Sequence, residues 1–142
     1  MGSKTDLEIM SKAEEFLKSQ HIPVTVIVAS AHRTPEKVIQ IAQDIEKDYD
    51  VVIAAAGMAA HLPGVLAGLV SKPVIGVPIN ASPLNGMDSL LAIVQMPTGI
   101  PVATVAINGA KNAAILAMQI ISLKDPAVRE RFLVFRKSLK EQ

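Results

Sequence analysis

The sequence predicts an α/β domain in which a doubly wound parallel sheet is covered by helices on both faces. Three observations lead there. Short apolar runs without polar alternation recur along the chain, segments of helical periodicity separate them, and the connections are short and hold Gly or Pro. A length of 142 residues suits one such domain, spanning residues 1–142.

The first helix is predicted from Leu7, Met10, Ala13 and Leu17, which recur at helical spacing, with Asp6 as its N-cap or a first-turn residue. His21, ahead of Ile22-Pro23, reads as a capping residue at that helix's C-terminus with no catalytic task. Thr25-Val26-Ile27-Val28-Ala29 is the first strand-like run. Val38, Ile41, Ala42 and Ile45 fall at i, i+3, i+4 and i+7 and define a second helix, with Pro35 suited to its first turn. Further strands are predicted at 51–55, 74–77 and 102–106. Residues 112–121 are apolar almost all round, so that helix is expected to be covered on several sides, a subunit interface included. Residues 126–140 form an amphipathic helix with Val128, Phe132, Phe135 and Leu139 on one face. One feature departs from the pattern. A doubly wound unit ordinarily opens with a strand, whereas Met1-Gly2-Ser3 leads straight into a helix, like the end of a strand-to-helix turn.

Composition excludes several function classes. The formal net charge is +1 and there is no Trp and a single Tyr, so neither a basic field nor a stacking surface for nucleic acid is expected. Cysteine is absent, which removes disulfides, thiolate catalysis and cysteine-ligated zinc. The longest apolar stretch, 51–60, is far short of the ~20 residues of a membrane helix, and Met1-Gly2-Ser3-Lys4 leads into no apolar leader. A cytoplasmic protein is expected. Half of the residues are hydrophobic, an excess that a short chain relieves by burying surface between subunits, so a homo-oligomer is expected.

Ligands of open α/β sheets bind beyond the carboxyl ends of the strands, and three segments fall there. Gly2-Ser3-Lys4-Thr5-Asp6 is a small-residue turn ahead of a helix, able to hold a phosphate on hydroxyls and free N–H groups or simply to cap the helix. Ser30-Ala31-His32-Arg33-Thr34-Pro35 follows a predicted strand. Arg33 offers a planar fork for phosphate or carboxylate, and His32 can exchange a proton near neutral pH. The plainer reading is that Ser30 or Thr34 caps the next helix. The third segment runs from Ala56-Gly57-Met58 to His61-Leu62-Pro63-Gly64, where small residues let a ligand approach the backbone. His61 there either touches the ligand or bonds to the backbone. The three histidines have no metal-ligand spacing, and no Walker loop or dinucleotide fingerprint is present.

These three segments, in this order, resemble the 5-(carboxyamino)imidazole ribonucleotide mutase family of de novo purine synthesis. The resemblance continues through Gly76-Val77-Pro78, Gly86-Met87-Asp88-Ser89-Leu90-Leu91, Ile93-Val94-Gln95-Met96-Pro97, Pro101-Val102-Ala103-Thr104 and Lys111-Asn112-Ala113-Ala114, nearly the whole chain. It implies a flavodoxin-like fold, a homo-octamer, and an isomerase that moves a carboxylate from the exocyclic nitrogen of the ribonucleotide to ring carbon C4 without metal or organic cofactor. Carried over by position, His32 is the proton shuttle. Ser3, Asp6 and Arg33 bind the ribonucleotide, Ser30 assists at the phosphate, and Thr5 stands where the family has Ser. Met58 replaces a more usual Gly and narrows the pocket. Family members carry a strand ahead of the Gly-Ser turn, so the resemblance also implies such a strand upstream of Met1, and a final helix continuing past Lys140. Two other classes stand beside this reading: a carboxylase adding free carbon dioxide to aminoimidazole ribonucleotide, and a non-catalytic nucleotide-binding module or inactive subunit, in which His32 has no task.

Overall fold

A computed structural model describes residues 1–141. A short 3-10 turn (Lys4–Asp6) leads into α1 (Leu7–Ser19), followed by α2 (Pro35–Asp48), β1 (Val52–Gly57), α3 (Leu62–Leu69), β2 (Val74–Ile79), α4 (Met87–Val94), β3 (Ala103–Thr104), α5 (Ala110–Ser122) and α6 (Pro126–Ser138). The strands are parallel in the order β1-β2-β3. Val52 lies level with Val74, Gly57 with Ile79 and Ala103 with Ile75.

The unbroken apolar character of β1 and β2 has a direct cause, because each buries both of its faces. Ala55, Ile75, Val77 and Ile79 pack with residues of α1, α5 and α6, such as Met10, Leu17, Ala114, Met118 and Val128. Val52, Ala54, Ala56 and Val74 turn the other way and meet Val38, Ala42 and Ile45 of α2, Leu62 and Leu66 of α3, and Ile93 of α4. Two apolar layers thus sandwich one sheet. At β2 the approach is tight: a Cβ on Gly76 would lie 2.4 Å from Ile93 Cγ2 and 2.9 Å from Val102 Cγ1.

The helical periodicities hold. Met10, Ala13 and Leu17 are buried on α1, as are Val38, Ala42 and Ile45 on α2, whereas Leu7 is exposed. At the end of α1 the His21 N–H donates to the Lys18 carbonyl and the Ile22 N–H to the Leu17 carbonyl, with His21 at φ 54°. That is a Schellman cap, the expected capping role. The nearly all-apolar helix α5 packs between α1, α6 and the sheet, which bury Ala110, Ala113, Ala114, Ala117 and Met118 and leave Ile115, Leu116, Ile120 and Ile121 partly covered. Phe16 of α1 and Phe135 of α6 meet edge to face at 5.0 Å beside it.

The run 25–29 does not form a ladder strand. Its bonds toward β1 run through Met1 and Gly2. The Met1 amino group donates to the Ile27 carbonyl at 2.9 Å, the Ala29 N–H donates to the Met1 carbonyl at 2.9 Å, and the Gly2 N–H donates to the Ala55 carbonyl at 3.0 Å. Two residues therefore stitch 25–29 to β1 at its carboxyl end, and they set the Gly2–Asp6 turn directly at that edge. No helix among the described residues is long and apolar enough to cross a membrane.

Candidate active site

Three loops meet at the carboxyl edge of the sheet. In the first, Ser3 opens the 3-10 turn with a capping box. The Thr5 hydroxyl donates to Ser3 Oγ at 2.8 Å, the Thr5 N–H donates to the same oxygen at 3.3 Å, and the Ser3 N–H donates to Asp6 Oδ2 at 3.1 Å. Asp6 is the last residue of that box, its side chain reaching back to Ser3, and it also holds the N-cap position of α1, where it makes no side-chain cap bond. It is buried, at 3% exposure. Burial pushes its carboxyl above the ordinary carboxylate value, while the Ser3 N–H, the Thr5 hydroxyl and the Met1 amino group pull the other way.

The second loop is braced from within. The Thr34 hydroxyl donates to the Ser30 carbonyl at 3.1 Å and accepts from the Ser30 N–H at 3.0 Å, and Ser30 Oγ accepts from the Arg33 N–H. Thr34 stands at the N-cap of α2 without a side-chain cap bond, and Pro35 occupies the first turn as expected. The brace leaves His32 and Arg33 exposed at the tip. Arg33 Nη2 reaches across to the Gly2 carbonyl at 3.4 Å, which ties this loop to the first.

The third loop leaves β1 at Gly57. His61 is the N-cap residue of α3 but makes no side-chain cap bond. Its ring meets His32 instead, with His32 Nε2 2.7 Å from His61 Nδ1 and the rings edge to face at 4.8 Å. Such a bond needs one N–H and one lone pair, so at least one ring is neutral. Met58 holds φ 55° with its side chain 60% exposed, a left-handed conformation that costs a non-glycine residue about 1–2 kcal/mol.

A fourth wall carries no signal that reading by motif assigned to the site. The loop after β2, residues 80–86, packs so closely on Gly57 that a Cβ there would sit 2.7 Å from Ala81 Cβ and 3.3 Å from the Ile79 carbonyl. The buried Ser89 Oγ lies 3.0 Å from the Ile79 carbonyl and 2.9 Å from the Gly86 carbonyl and shares its one O–H between them, closing the loop at its base. Asn108 supports it as well, its Oδ1 accepting from the Asn80 N–H at 2.9 Å. The usable clue was its place directly beyond a strand's carboxyl end.

The sequence-derived site residues therefore fall into two bonded groups, Ser3-Thr5-Asp6 and His32-His61, joined through Arg33 and Gly2; Ser30 serves the turn between them. Among the described residues no three His, Cys, Asp or Glu side chains gather as metal ligands would. The assembled edge presents hydroxyls, a guanidinium, a buried carboxyl and an imidazole pair, a set suited to binding an anionic polyol ligand and moving a proton on it.

Comparison with known proteins agrees. The profile of the AIR carboxylase family matches residues 1–142. The N5-carboxyaminoimidazole ribonucleotide mutase of Pyrococcus abyssi is 53% identical over 99% of this chain and 81% of its own length, and that of Saccharolobus solfataricus is 54% identical over 99% and 89%. The crystal structure of Treponema denticola PurE superposes with a TM-score of 0.91 at 30% identity, covering 99% of this chain and 89% of that one. Fold and sequence converge, and the chain belongs to the AIR carboxylase family.

Proposed function

We propose that the protein is an N5-carboxyaminoimidazole ribonucleotide mutase, an isomerase of purine biosynthesis that moves a carboxylate from nitrogen to C4. Relatives at about half identity over almost the whole chain carry that name. The observation that carries the chemistry is the imidazole pair at the tip of the second and third loops, 2.7 Å apart and bordered by small residues.

His32 protonates the carbamate nitrogen; the N–C bond breaks and carbon dioxide leaves with no net redox change. The freed amine pushes electron density into the ring, C4 attacks the trapped carbon dioxide, and the C4 proton returns to His32. The path needs a proton carrier and a pocket that keeps the gas from escaping. Arg33, Ser3, Thr5 and Asp6 hold the ribonucleotide, with Ser30 at the phosphate end, so that binding energy remote from the ring places C4. His61 holds the His32 ring and accepts or returns its proton.

The protein acts as a homo-oligomer, an octamer, in the cytoplasm. Exposed Leu84, Met87, Leu91 and Val94, on and beside one face of α4, support association between copies. The deciding assay feeds the purified chain the carbamate substrate in one series and the amine with bicarbonate in another. Turnover of the first alone supports the mutase; faster turnover of the second assigns the carboxylase reaction; binding of ribonucleotide with no turnover of either leaves a nucleotide-binding module.

A further inference from the structure

The chain holds two Asn-Gly pairs, Asn85-Gly86 and Asn108-Gly109, and both asparagines sit at positive φ, 53° and 58°. Such a pair carries its own chemistry. The glycine nitrogen, unhindered by a side chain, attacks the asparagine side-chain carbonyl carbon whenever the peptide between the two residues turns to face it. The two pairs are held very differently.

Asn85 and Gly86 are the central residues of the turn from Leu84 to Met87, which the Met87 N–H closes by donating to the Leu84 carbonyl at 3.0 Å. With Gly86 at φ 81°, both central residues are left-handed, the type I′ form that Asn-Gly favours. The peptide linking them is unrestrained. Among the described residues the Asn85 carbonyl accepts no hydrogen bond and the Gly86 N–H donates none. That peptide can turn over, from type I′ to type II′, with the closing bond kept and no other bond lost. The turned form brings the Gly86 nitrogen toward the Asn85 side chain, and Asn85 is exposed to water.

Asn108-Gly109 is pinned on every side. The Asn108 N–H donates to the Pro78 carbonyl at 2.8 Å, and the Asn108 carbonyl accepts from the Ala110 N–H at 2.9 Å. The Gly109 N–H donates to the Ala106 carbonyl at 2.8 Å, and Asn108 Oδ1 accepts from the Asn80 N–H at 2.9 Å. Attack there breaks several of these bonds together.

We propose that Asn85 is a site of spontaneous deamidation that ages the fourth wall of the site. The Gly86 nitrogen bonds to Asn85 Cγ, the bond from Cγ to the side-chain nitrogen breaks, and ammonia leaves carrying the Gly86 amide proton. Water then opens the five-membered imide at one carbonyl or the other, giving aspartate or isoaspartate with no redox change. Aspartate keeps the turn and sets a negative charge ahead of α4, where the helix dipole favours it. Isoaspartate inserts a carbon into the backbone. The two-residue turn then no longer closes on Leu84, and the Gly86 carbonyl is drawn away from the Ser89 hydroxyl it shares with Ile79. The wall packed on Gly57 loosens.

The test holds the purified 142-residue chain at mildly alkaline pH, folded in one series and in urea in another, and follows both asparagines by peptide mass spectrometry. In the folded chain Asn85 is expected to convert at least about tenfold faster than Asn108, the factor set by one or two hydrogen bonds. In urea the two should convert at similar rates. An isoaspartate-specific carboxyl methyltransferase with a labelled methyl donor should mark the aged chain at position 85. The aged chain should melt lower in step with its isoaspartate content, while freshly made Asn85→Asp melts like the parent. Asn85→Gly keeps the left-handed turn without the amide, and its melting temperature should hold over the same period. Equal rates at Asn85 and Asn108 in the folded chain, or conversion of Asn85 in urea alone, would overturn the proposal. So would an Asn85→Gly chain that loses stability as fast as the parent. None of these readouts depends on isomerase activity.

Discussion

His32 and His61 stand 29 positions apart in the chain, and their ring nitrogens stand 2.7 Å apart at the carboxyl edge of the sheet. One enters from the loop before α2 and the other from the start of α3, so the pair exists only once β1 has been laid between them. The bond takes an N–H from one ring and a lone pair from the other, and which ring donates depends on the tautomer.

Replacing the shuttle should remove the chemistry but leave binding. His32→Asn is expected to lower kcat by about 10²-fold or more, the usual scale for a general acid–base group, with ribonucleotide affinity close to unchanged. Steady-state kinetics beside a direct binding titration checks this. Near-normal turnover would refute the role.

His61 is expected to act through His32. His61→Ala should lower kcat roughly fivefold to tenfold, as for loss of one hydrogen bond, with little change in KM. His61→Asn, whose amide can keep a bond to His32, should recover most of the loss. A fall in affinity instead, with kcat intact, would show that His61 serves binding.

Asp6 gives a prediction with a definite sign. Burial raises its carboxyl above the ordinary value of 3.8, so the folded protein holds that proton more tightly than the unfolded chain does. Stability linked to Asp6 is full at acid pH and falls as pH rises through the raised value. Asp6→Asn escapes that cost while its amide oxygen can still accept from the Ser3 N–H. The stability of the variant relative to the parent should therefore grow as pH rises from about 4 upward. Urea unfolding over a pH series reads it, and a flat difference would count against the buried carboxyl.

Gly57→Ala should be costly despite its small size. The new methyl would meet Ala81 Cβ at 2.7 Å, forcing the 80–86 loop off the end of β1. Overpacking of this kind costs about 1–3 kcal/mol. Gly68→Ala, where nothing lies within 4 Å of the added carbon, is the matched control, and equal melting temperatures for the two would contradict the packing.

Much of this was legible along the chain, and the rest was hidden for physical reasons. Val38, Ala42 and Ile45 declared their helix because burial on one face imposes a period, and β1 and β2 declared themselves because burial on two faces abolishes it. The run 25–29 has equal β character, yet a strand is defined by its neighbour, which local sequence does not contain. The apolar girth of α5 called for cover on several sides; within the chain α1, α6 and the sheet bury Ala113, Ala114, Ala117 and Met118, and which helix lies where is a tertiary fact. His61 could be nominated but not paired, since its partner is chosen by the path of the sheet. Asp6 could be read as a cap or first-turn residue, but its burial is a tertiary fact that its own turn does not contain.

The one O–H of Ser89 is shared between the Ile79 and Gly86 carbonyls at the two ends of the 80–86 loop. A flap pinned in this way keeps a fixed footprint. It cannot peel away from its base without leaving two carbonyls and a buried hydroxyl unpartnered together.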